Sequence, residues 1–118
     1  MHIWDAAGDH SVLNLAHLFI ENTSVAVLCY AIDDKRSYED LENWSEQIQD
    51  KDGMFTVCLG NKEDLAEHRS IPVNYAKKKM RDLPNCKIGM ETSAYENVNS
   101  IKTLFQQIGQ IIIDEKYY

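Results

Sequence analysis

The chain has little positive charge: 12 Lys and Arg residues stand against 19 Asp and Glu residues, for a net charge of -7. A protein that binds nucleic-acid phosphates shows a basic patch, so this balance argues against a nucleic-acid partner and against an anionic membrane surface. The sequence has no run of 18 apolar residues, so it predicts no membrane-spanning helix. Its first residues, Met1–Asp5, lack the basic and apolar regions of a signal peptide, and we expect none.

Cysteines are few and widely spaced: Cys29, Cys58 and Cys86 are the only three. An odd number without a C-x-x-C pair, and without ligand spacing to the four His residues, predicts neither a disulfide framework nor a zinc motif. Cys29 and Cys58 lie within apolar runs, so we expect small buried side chains rather than nucleophiles or ligands. The cysteine usage is typical of a reducing compartment, and we expect a cytoplasmic protein.

Three continuous apolar runs predict strands that are buried on both faces: Ser24–Ile32, Met54–Gly60 and Cys86–Thr92. His2–Asp5 has the composition of the end of a fourth strand. A chain of 118 residues corresponds to one domain, and it is long enough to bury a core.

Segments whose apolar residues recur at helical spacing lie between these runs. Ser37–Asp50 predicts one helix, which Ser37 and Asp40 would open as a pair resembling a capping box. Pro72 predicts the start of a second helix, and a third follows Asn99. The expected apolar face of the second helix is Val73, Ala76, Met80 and Leu83, and that of the third is Ile101, Leu104, Phe105, Ile108, Ile111 and Ile112. This alternation predicts an α/β fold whose parallel sheet has helices on both faces.

Ligands of such sheets bind beyond the carboxyl ends of the strands, so the loops there are candidate sites. In the first loop, Asp5 has the chemistry to hold a metal ion through water, and Gly8 lets a backbone N–H approach an anion. A simple turn is the alternative. In a later loop, Asp64 has the chemistry to accept hydrogen bonds from two adjacent N–H donors, which guanine presents at N1 and N2 and adenine does not.

Two neighbours of Asp64 suit a flat ring. Asn61 can bond a purine edge or join loops, and the stem of Lys62 can cover one ring face. The alternative for this loop is a helix N-cap or a polar turn. After the third run, the small pair Ser93 and Ala94 allows backbone amides to meet a ligand carbonyl such as guanine O6, or it is a plain strand-to-loop transition.

Taken together and in order, these loops resemble the later guanine-nucleotide motifs of the Ras-like small GTPases. Asp5–Gly8 resembles D-x-x-G in a Trp-Asp-x-Ala-Gly context, Asn61–Asp64 resembles N-K-x-D, and Glu91–Ala94 resembles E-T-S-A. The resemblance covers about residues 3–113. The Rab branch fits best, although Phe19-Ile20 only partly keeps the aromatic pair late in switch II.

The resemblance implies a partial P-loop NTPase fold. For the intact family it implies GTP or GDP and Mg²⁺ as ligands, GTP hydrolysis, and regulation of vesicle traffic, whereas residues 1–118 alone lack the expected phosphate site. Asp5 would bind Mg²⁺ through water, and the Gly8 amide would contact the γ-phosphate. Asp9 to Glu21 would form the switch II surface for effector or regulator proteins.

The resemblance also assigns the base site. Asp64 would select guanine, with Ser93 supporting its carboxylate. Asn61 and Lys62 would brace the base and its loops, and the Ala94 amide would meet guanine O6.

The sequence departs from the family in what it lacks. It contains neither the phosphate-binding G-x-x-x-x-G-K-S/T loop nor the switch I threonine. We therefore expect residues 1–118 to be the C-terminal two thirds of a G domain that misses its first strands. Asp9 stands where the family has the Gln that orients the attacking water, so we assign no catalytic residue and expect little GTPase activity from this chain alone. No C-a-a-X or terminal Cys pair follows Asp114, so no lipid anchor is predicted, and membrane association would require a prenylated tail.

A sheet without its central strand leaves unpaired backbone groups, each costing about 1–3 kcal/mol. We expect the chain to be marginally stable, rearranged, or completed by an N-terminal segment from a partner. Two functions remain open: an incomplete Rab-like GTPase, and a non-hydrolysing derivative that binds partners through switch II and its helices. A flavodoxin-like binding domain whose loops match by chance is a third reading.

Overall fold

Strands and helices alternate along the chain in the computed structural model, which describes residues 2–5, 23–48 and 53–117. The strands are β1 (Val25–Ala31), β2 (Phe55–Asn61) and β3 (Cys86–Glu91). The helices are α1 (Lys35–Glu39), α2 (Leu41–Ile48), α3 (Val73–Asp82) and α4 (Val98–Tyr117), and a 3-10 segment spans Glu63–His68. The three predicted strands are confirmed to within one residue at either end.

The strands form one parallel sheet in the order β1-β2-β3. The β1–β2 pairing runs without a break from Val25 opposite Phe55 to Ala31 opposite Asn61. The β2–β3 pairing shifts register between Thr56 and Val57. The α/β class and the parallel sheet predicted from the sequence are therefore confirmed.

Hydrophobic cores lie on both faces of the sheet, because successive side chains of a strand point to opposite sides. Cys58 of β2 belongs to a cluster that packs α2 and α3 against the sheet. The residues that alternate with it face α4 instead. This second cluster contains Phe55, Val57 and Leu59 of β2 with Leu104 and Ile108 of α4. Burial of β2 from Phe55 through Gly60 explains why its sequence is a continuous apolar run.

The first helical region differs from the prediction. Two helices, α1 and α2, replace the single helix expected over Ser37–Asp50, and Asp40 lies between them. The N-cap is Asp34, whose carboxylate accepts from the amides of Arg36 and Ser37 at 3.1 and 3.3 Å. The Ser37 hydroxyl accepts from the Ala31 amide at 3.0 Å, so it connects α1 to β1 instead of capping. The helix starts early because the aspartate satisfies free amides of the first turn.

One predicted strand end and several predicted buried side chains are not found. His2–Asp5 contains no strand, and Trp4 is 74% exposed. Cys29 is exposed on β1, whereas Cys58 is fully buried as expected. Val73 of α3 and Phe105 of α4 are also exposed, because each lies at the border of its helix's apolar face.

Some predicted features lie outside the described residues. These are Gly8, Asp9, and the rest of the switch II segment through Glu21.

Candidate functional site

The carboxyl ends of β2 and β3 lie side by side, since Gly60 pairs with Glu91. Backbone hydrogen bonds continue beyond the strands. The Thr92 amide donates to Gly60 O at 2.8 Å, and the Glu63 amide donates to Thr92 O at 2.9 Å. The loops that carry the two predicted base-binding motifs are therefore held together by main-chain contacts before any side chain contributes.

Lys62 turns the chain at the end of β2. Its backbone is left-handed, with φ 67° and ψ 35°, a conformation that a non-glycine residue adopts infrequently. Lys62 O accepts from the Leu65 amide at 2.8 Å, which closes the turn and starts the 3-10 segment. Such a backbone persists when its surroundings hold it, and positions of this kind concentrate at functional sites. The turn brings Asp64 back toward the end of β3.

Asn61 joins the two loops through its side-chain oxygen. Asn61 Oδ1 accepts from the Thr92 hydroxyl at 3.3 Å and from the Ala94 amide at 3.2 Å. The sequence left open whether Asn61 bonds a purine or joins loops, and here it joins them. The Ala94 amide, expected to meet guanine O6, donates to Asn61 in this structure.

Ser93 orients the Asp64 carboxylate. The buried Ser93 hydroxyl donates to Asp64 Oδ1 at 2.7 Å and accepts from the Glu96 amide at 2.9 Å. Because that amide can only donate, it directs the hydroxyl proton toward the carboxylate. Among the described residues, Asp64 Oδ2 has no hydrogen-bond partner. The carboxylate is therefore fixed in orientation while one oxygen stays available.

A recess of about 320 Å³ opens beside this carboxylate. Ligand pockets are typically about 300–1,000 Å³, so the space suits a small ring system. Its lining comes from both loops: Asn61, Lys62, Asp64, Leu65, Ala94 and Tyr95. Of the six predicted nucleotide-binding residues, four line this recess, Ser93 bonds Asp64 beside it, and Gly8, the predicted γ-phosphate contact, lies outside the described residues.

The sequence also matches a family model described as the Ras family, over residues 1–114. The chain belongs to the Ras family. The match supports a small-GTPase-like G domain, and the three-stranded parallel sheet with its helices is consistent with a partial P-loop NTPase fold. Proteins of the Ras family bind GTP and GDP with Mg²⁺ in general.

In the described part of the chain, the side chains that could bind Mg²⁺ do not form a group. Asp5 is exposed, and residues 2–5, 23–48 and 53–117 contain no cluster of three or more His, Cys, Asp or Glu side chains that could hold a metal ion. Asp5 by itself is a carboxylate that can bind a hydrated ion through water, so the donor chemistry fits Mg²⁺ at that one position.

An ion pair that the sequence pattern does not predict lies next to this candidate site. Arg69, just after the 3-10 segment, donates to Glu91 through Nη1 at 2.9 Å and Nη2 at 2.5 Å. Both side chains are largely buried, at 17% and 20% exposure. The neighbouring carboxylate raises the pKa of the Arg69 guanidinium, although burial opposes this. The pair clamps the far end of the Asp64 loop to the end of β3.

Within the described residues, the helices are too short or too polar to cross a membrane.

Proposed function

We propose that this Ras-family chain binds a guanine nucleotide, GTP or GDP, with the base in the recess beside Asp64. The single observation that carries the proposal is the Ser93–Asp64 hydrogen bond at 2.7 Å, which orients an otherwise available carboxylate at the recess. Guanine presents two adjacent donors, N1–H and N2–H, that a carboxylate can accept together. Lys62 and Asn61 brace the base and the loops, and the Ala94 amide contributes to guanine O6 if it is released from Asn61.

Within the Ras family, we propose that the protein is of the Rab type and regulates vesicle traffic from the cytoplasm. The Trp-Asp-x-Ala-Gly context of Asp5 favours it, and Phe19-Ile20 keeps the Rab-typical aromatic pair only in part. In this proposal Asp9 to Glu21 form the switch II surface that binds effectors and regulators. Gly8 contacts the γ-phosphate, and Asp5 holds Mg²⁺ through water.

Calorimetric titration of the full chain with GDP and ADP, both with Mg²⁺, tests the base site. We expect GDP to bind at least about 100-fold more tightly, since sites built to hydrogen-bond a group strongly reject analogues that lack it. Asp64→Asn replaces one acceptor oxygen by a donor, so it should weaken GDP binding and favour xanthosine diphosphate, whose base presents one donor and one acceptor at that edge. Asp82→Asn on α3 is the matched control. Equal binding of GDP and ADP would contradict the proposal.

The second candidate is a non-hydrolysing interaction protein derived from a GTPase. Asp9 favours it, because a carboxylate cannot donate a hydrogen bond to the γ-phosphate and its charge repels that group. Single-turnover GTP hydrolysis by the wild type and by Asp9→Gln distinguishes the two candidates. Restored hydrolysis in the variant assigns the loss to Asp9, whereas hydrolysis by the wild type rejects the second candidate.

The outer edge of β1 can pair with a strand from a further segment. Among the described residues β1 pairs with β2 alone, and its Val27 and Cys29 are exposed. Unpaired edges accept further strands. We therefore propose that a complementing segment, which would bring the phosphate-binding loop that residues 1–118 lack, completes the sheet. A cooperative melt of the isolated chain within or above the range of about 45–65 °C typical of mesophilic domains would contradict this.

A further inference from the structure

A second recess, of about 470 Å³, opens between α2 and α3, and we call it the α2–α3 groove. Its lining shares no residue with the recess beside Asp64. One face of α2 supplies Glu42, Ser45 and Glu46, which are neighbours because they lie three and four positions apart on a helix. The groove is therefore a separate surface, on helices that take no part in the proposed base site.

Both lysines of the groove are matched by carboxylates of the groove itself. Lys79 Nζ donates to Glu42 Oε1 at 2.6 Å and lies 5.0 Å from the centre of the Tyr38 ring. This bond joins α3 to α2, and it lowers the pKa of Glu42. Lys78 pairs with Asp82 at 3.4 Å along α3. The positive charge of the groove is thus already used within the chain.

Two polar side chains of α2 are not matched in this way. Glu46 is exposed and forms no ion pair or hydrogen bond with another described residue. Ser45 is only 5% exposed, yet its hydroxyl also bonds to none of the described residues. The described side-chain atoms that are fully buried without a partner are Tyr30 Oη and Asp33 Oδ1, so the Ser45 hydroxyl opens on the groove. A largely buried hydroxyl without a partner is destabilising until a ligand supplies one.

Tyr75 of α3 adds an aromatic face to the groove. Its side chain is 58% exposed, and its backbone is held because Tyr75 O accepts from the Tyr38 hydroxyl at 3.2 Å. A carboxylate, a hydroxyl oxygen and an aromatic face are the partners that a guanidinium can use together, since it donates within its plane and stacks through its face. A lysine ammonium is a compact charge that cannot lie flat on a ring while donating sideways.

We propose that the α2–α3 groove binds an arginine side chain from a segment of a partner protein, whose guanidinium donates to Glu46 and Ser45 and lies against the Tyr75 ring. Charge complementarity supports this occupant. Three carboxylates and two ammonium groups line the groove, which leaves one negative charge for the arginine to neutralise. The net charge of -7 on the whole chain attracts a basic segment in addition.

Titration of the isotopically labelled full chain with a short capped peptide, in which one arginine lies between leucines, tests the proposal by NMR. The amide signals of Ser45, Glu46 and Tyr75 should shift until they saturate, and added salt should weaken the binding. The same peptide with citrulline, which keeps the shape of arginine without its charge, should bind at least about fivefold more weakly. A lysine peptide should also bind more weakly than the arginine peptide.

Two variants test the contacts to α2. Glu46→Gln should weaken the arginine peptide by about 2–5-fold, the range of an exposed ion pair. Ser45→Ala should weaken it by about 2–12-fold, the range of a single hydrogen bond. Ser45→Ala should not lower the Tm of the free chain, because the hydroxyl that it removes has no partner among the described residues. Weaker binding with an undiminished Tm is a result that a merely structural role for Ser45 would not produce.

Glu67→Gln is the matched control for Glu46→Gln, because Glu67 is an exposed glutamate of the 3-10 segment and does not line the groove. It makes the same change of charge and should leave the peptide affinity unchanged. Ser45→Ala and Glu46→Gln should leave the GDP affinity of the chain unchanged, since the groove shares no residue with the base recess.

Four outcomes would overturn the proposal. The arginine peptide would cause no saturable shifts, or the citrulline peptide would bind equally well. A peptide with glutamate in place of arginine would bind more tightly, which would show that the lysines attract the partner. The same amide signals would shift when the free chain is diluted, which would show that a second copy of the chain occupies the groove.

Discussion

Ser93 donates its hydroxyl proton to Asp64 at 2.7 Å while accepting the Glu96 amide, so one buried serine orients a carboxylate and closes the following turn. The two residues are 29 positions apart and lie at the ends of neighbouring strands. Because the hydroxyl has a single proton and the amide occupies its acceptor side, the direction of the Ser93–Asp64 bond is determined.

Ser93→Ala removes this bond and should weaken GDP binding by roughly 10–150-fold. A hydrogen bond to a charged group contributes about 1.5–3 kcal/mol, and about 1.4 kcal/mol corresponds to tenfold in affinity. Isothermal titration calorimetry measures the change. Ser100→Ala is the control, since the Ser100 hydroxyl donates at 2.7 Å to Asn97 O in an exposed position. Equal GDP affinities for the two variants would contradict a role for Ser93.

The strands were predictable because each contains an apolar run, although only β2 is buried on both faces as expected. Val27 and Cys29 of β1 are exposed, and β3 has no fully buried residue. The start of α1 was not predictable, because Ser37 and Asp34 both have N-cap chemistry and spacing alone does not choose between them. The Ser37 hydroxyl accepts from the Ala31 amide, a contact that exists only after β1 and α1 pack together. The strand predicted at His2–Asp5 is absent from the structure. Four residues are too few to show the periodicity that distinguishes a strand from a loop.

That the predicted base-site residues lie together could be inferred from the sequence, because their motifs are local and each follows a strand. The Arg69–Glu91 pair could not, because the two residues are 22 positions apart and meet through the register of β3 against the 3-10 segment. The position of Tyr95 at the recess was not predictable either, because an exposed tyrosine gives no signal in a hydrophobic pattern.

Glu91→Gln should destabilise the fold by about 1–3 kcal/mol. It leaves the largely buried Arg69 guanidinium without its charged partner, and the cost of breaking such pairs rises with burial. Urea unfolding measures the loss. Glu39→Gln breaks the exposed Lys35–Glu39 pair, whose atoms are 3.7 Å apart, and should change stability by less than about 0.5 kcal/mol. If the two variants lose equal stability, the pair is not a clamp.

Tyr30→Phe should stabilise the fold by about 1 kcal/mol and raise the Tm by about 4 °C. Tyr30 is 3% exposed and its hydroxyl has no hydrogen-bond partner among the described residues, so the group loses hydration without compensation. The ring keeps its place, because it packs edge-to-face on Tyr38 with centroids 5.6 Å apart.

Tyr38→Phe is the matched control for Tyr30→Phe. The Tyr38 hydroxyl donates to Tyr75 O at 3.2 Å, so its removal should cost about 0.5–1.5 kcal/mol. Calorimetric melts of both variants should therefore shift in opposite directions. A lower Tm in Tyr30→Phe would show that its hydroxyl has a partner after all.

The buried Cys58 thiol should make the fold sensitive to alkali. Burial is the main cause that raises the pKa of Cys58 from 9.0 to about 12, because a thiolate is poorly solvated there. The folded state therefore holds this proton more tightly than the unfolded chain. The resulting stability is complete below about pH 9 and is lost as the pH rises from about 9 to 12. At pH 10.5 the loss from this group is about 2 kcal/mol.

Cys58→Ala removes the titrating group and provides the test. At pH 7 the variant should be less stable than the wild type, because a fully buried side chain has been shortened. As the pH rises, the wild type loses stability through the Cys58 thiol, which the variant lacks. The difference between the unfolding free energies of the wild type and Cys58→Ala, measured in urea, should therefore shrink by pH 10.5. A difference that stays constant from pH 7 to 10.5 would show that the thiol of Cys58 does not couple to folding. Tyr30 adds to the wild-type loss in the same direction, since burial also raises the pKa of its phenol. The charge of Cys58 contributes to that rise, so the comparison measures Cys58 together with its coupling to Tyr30.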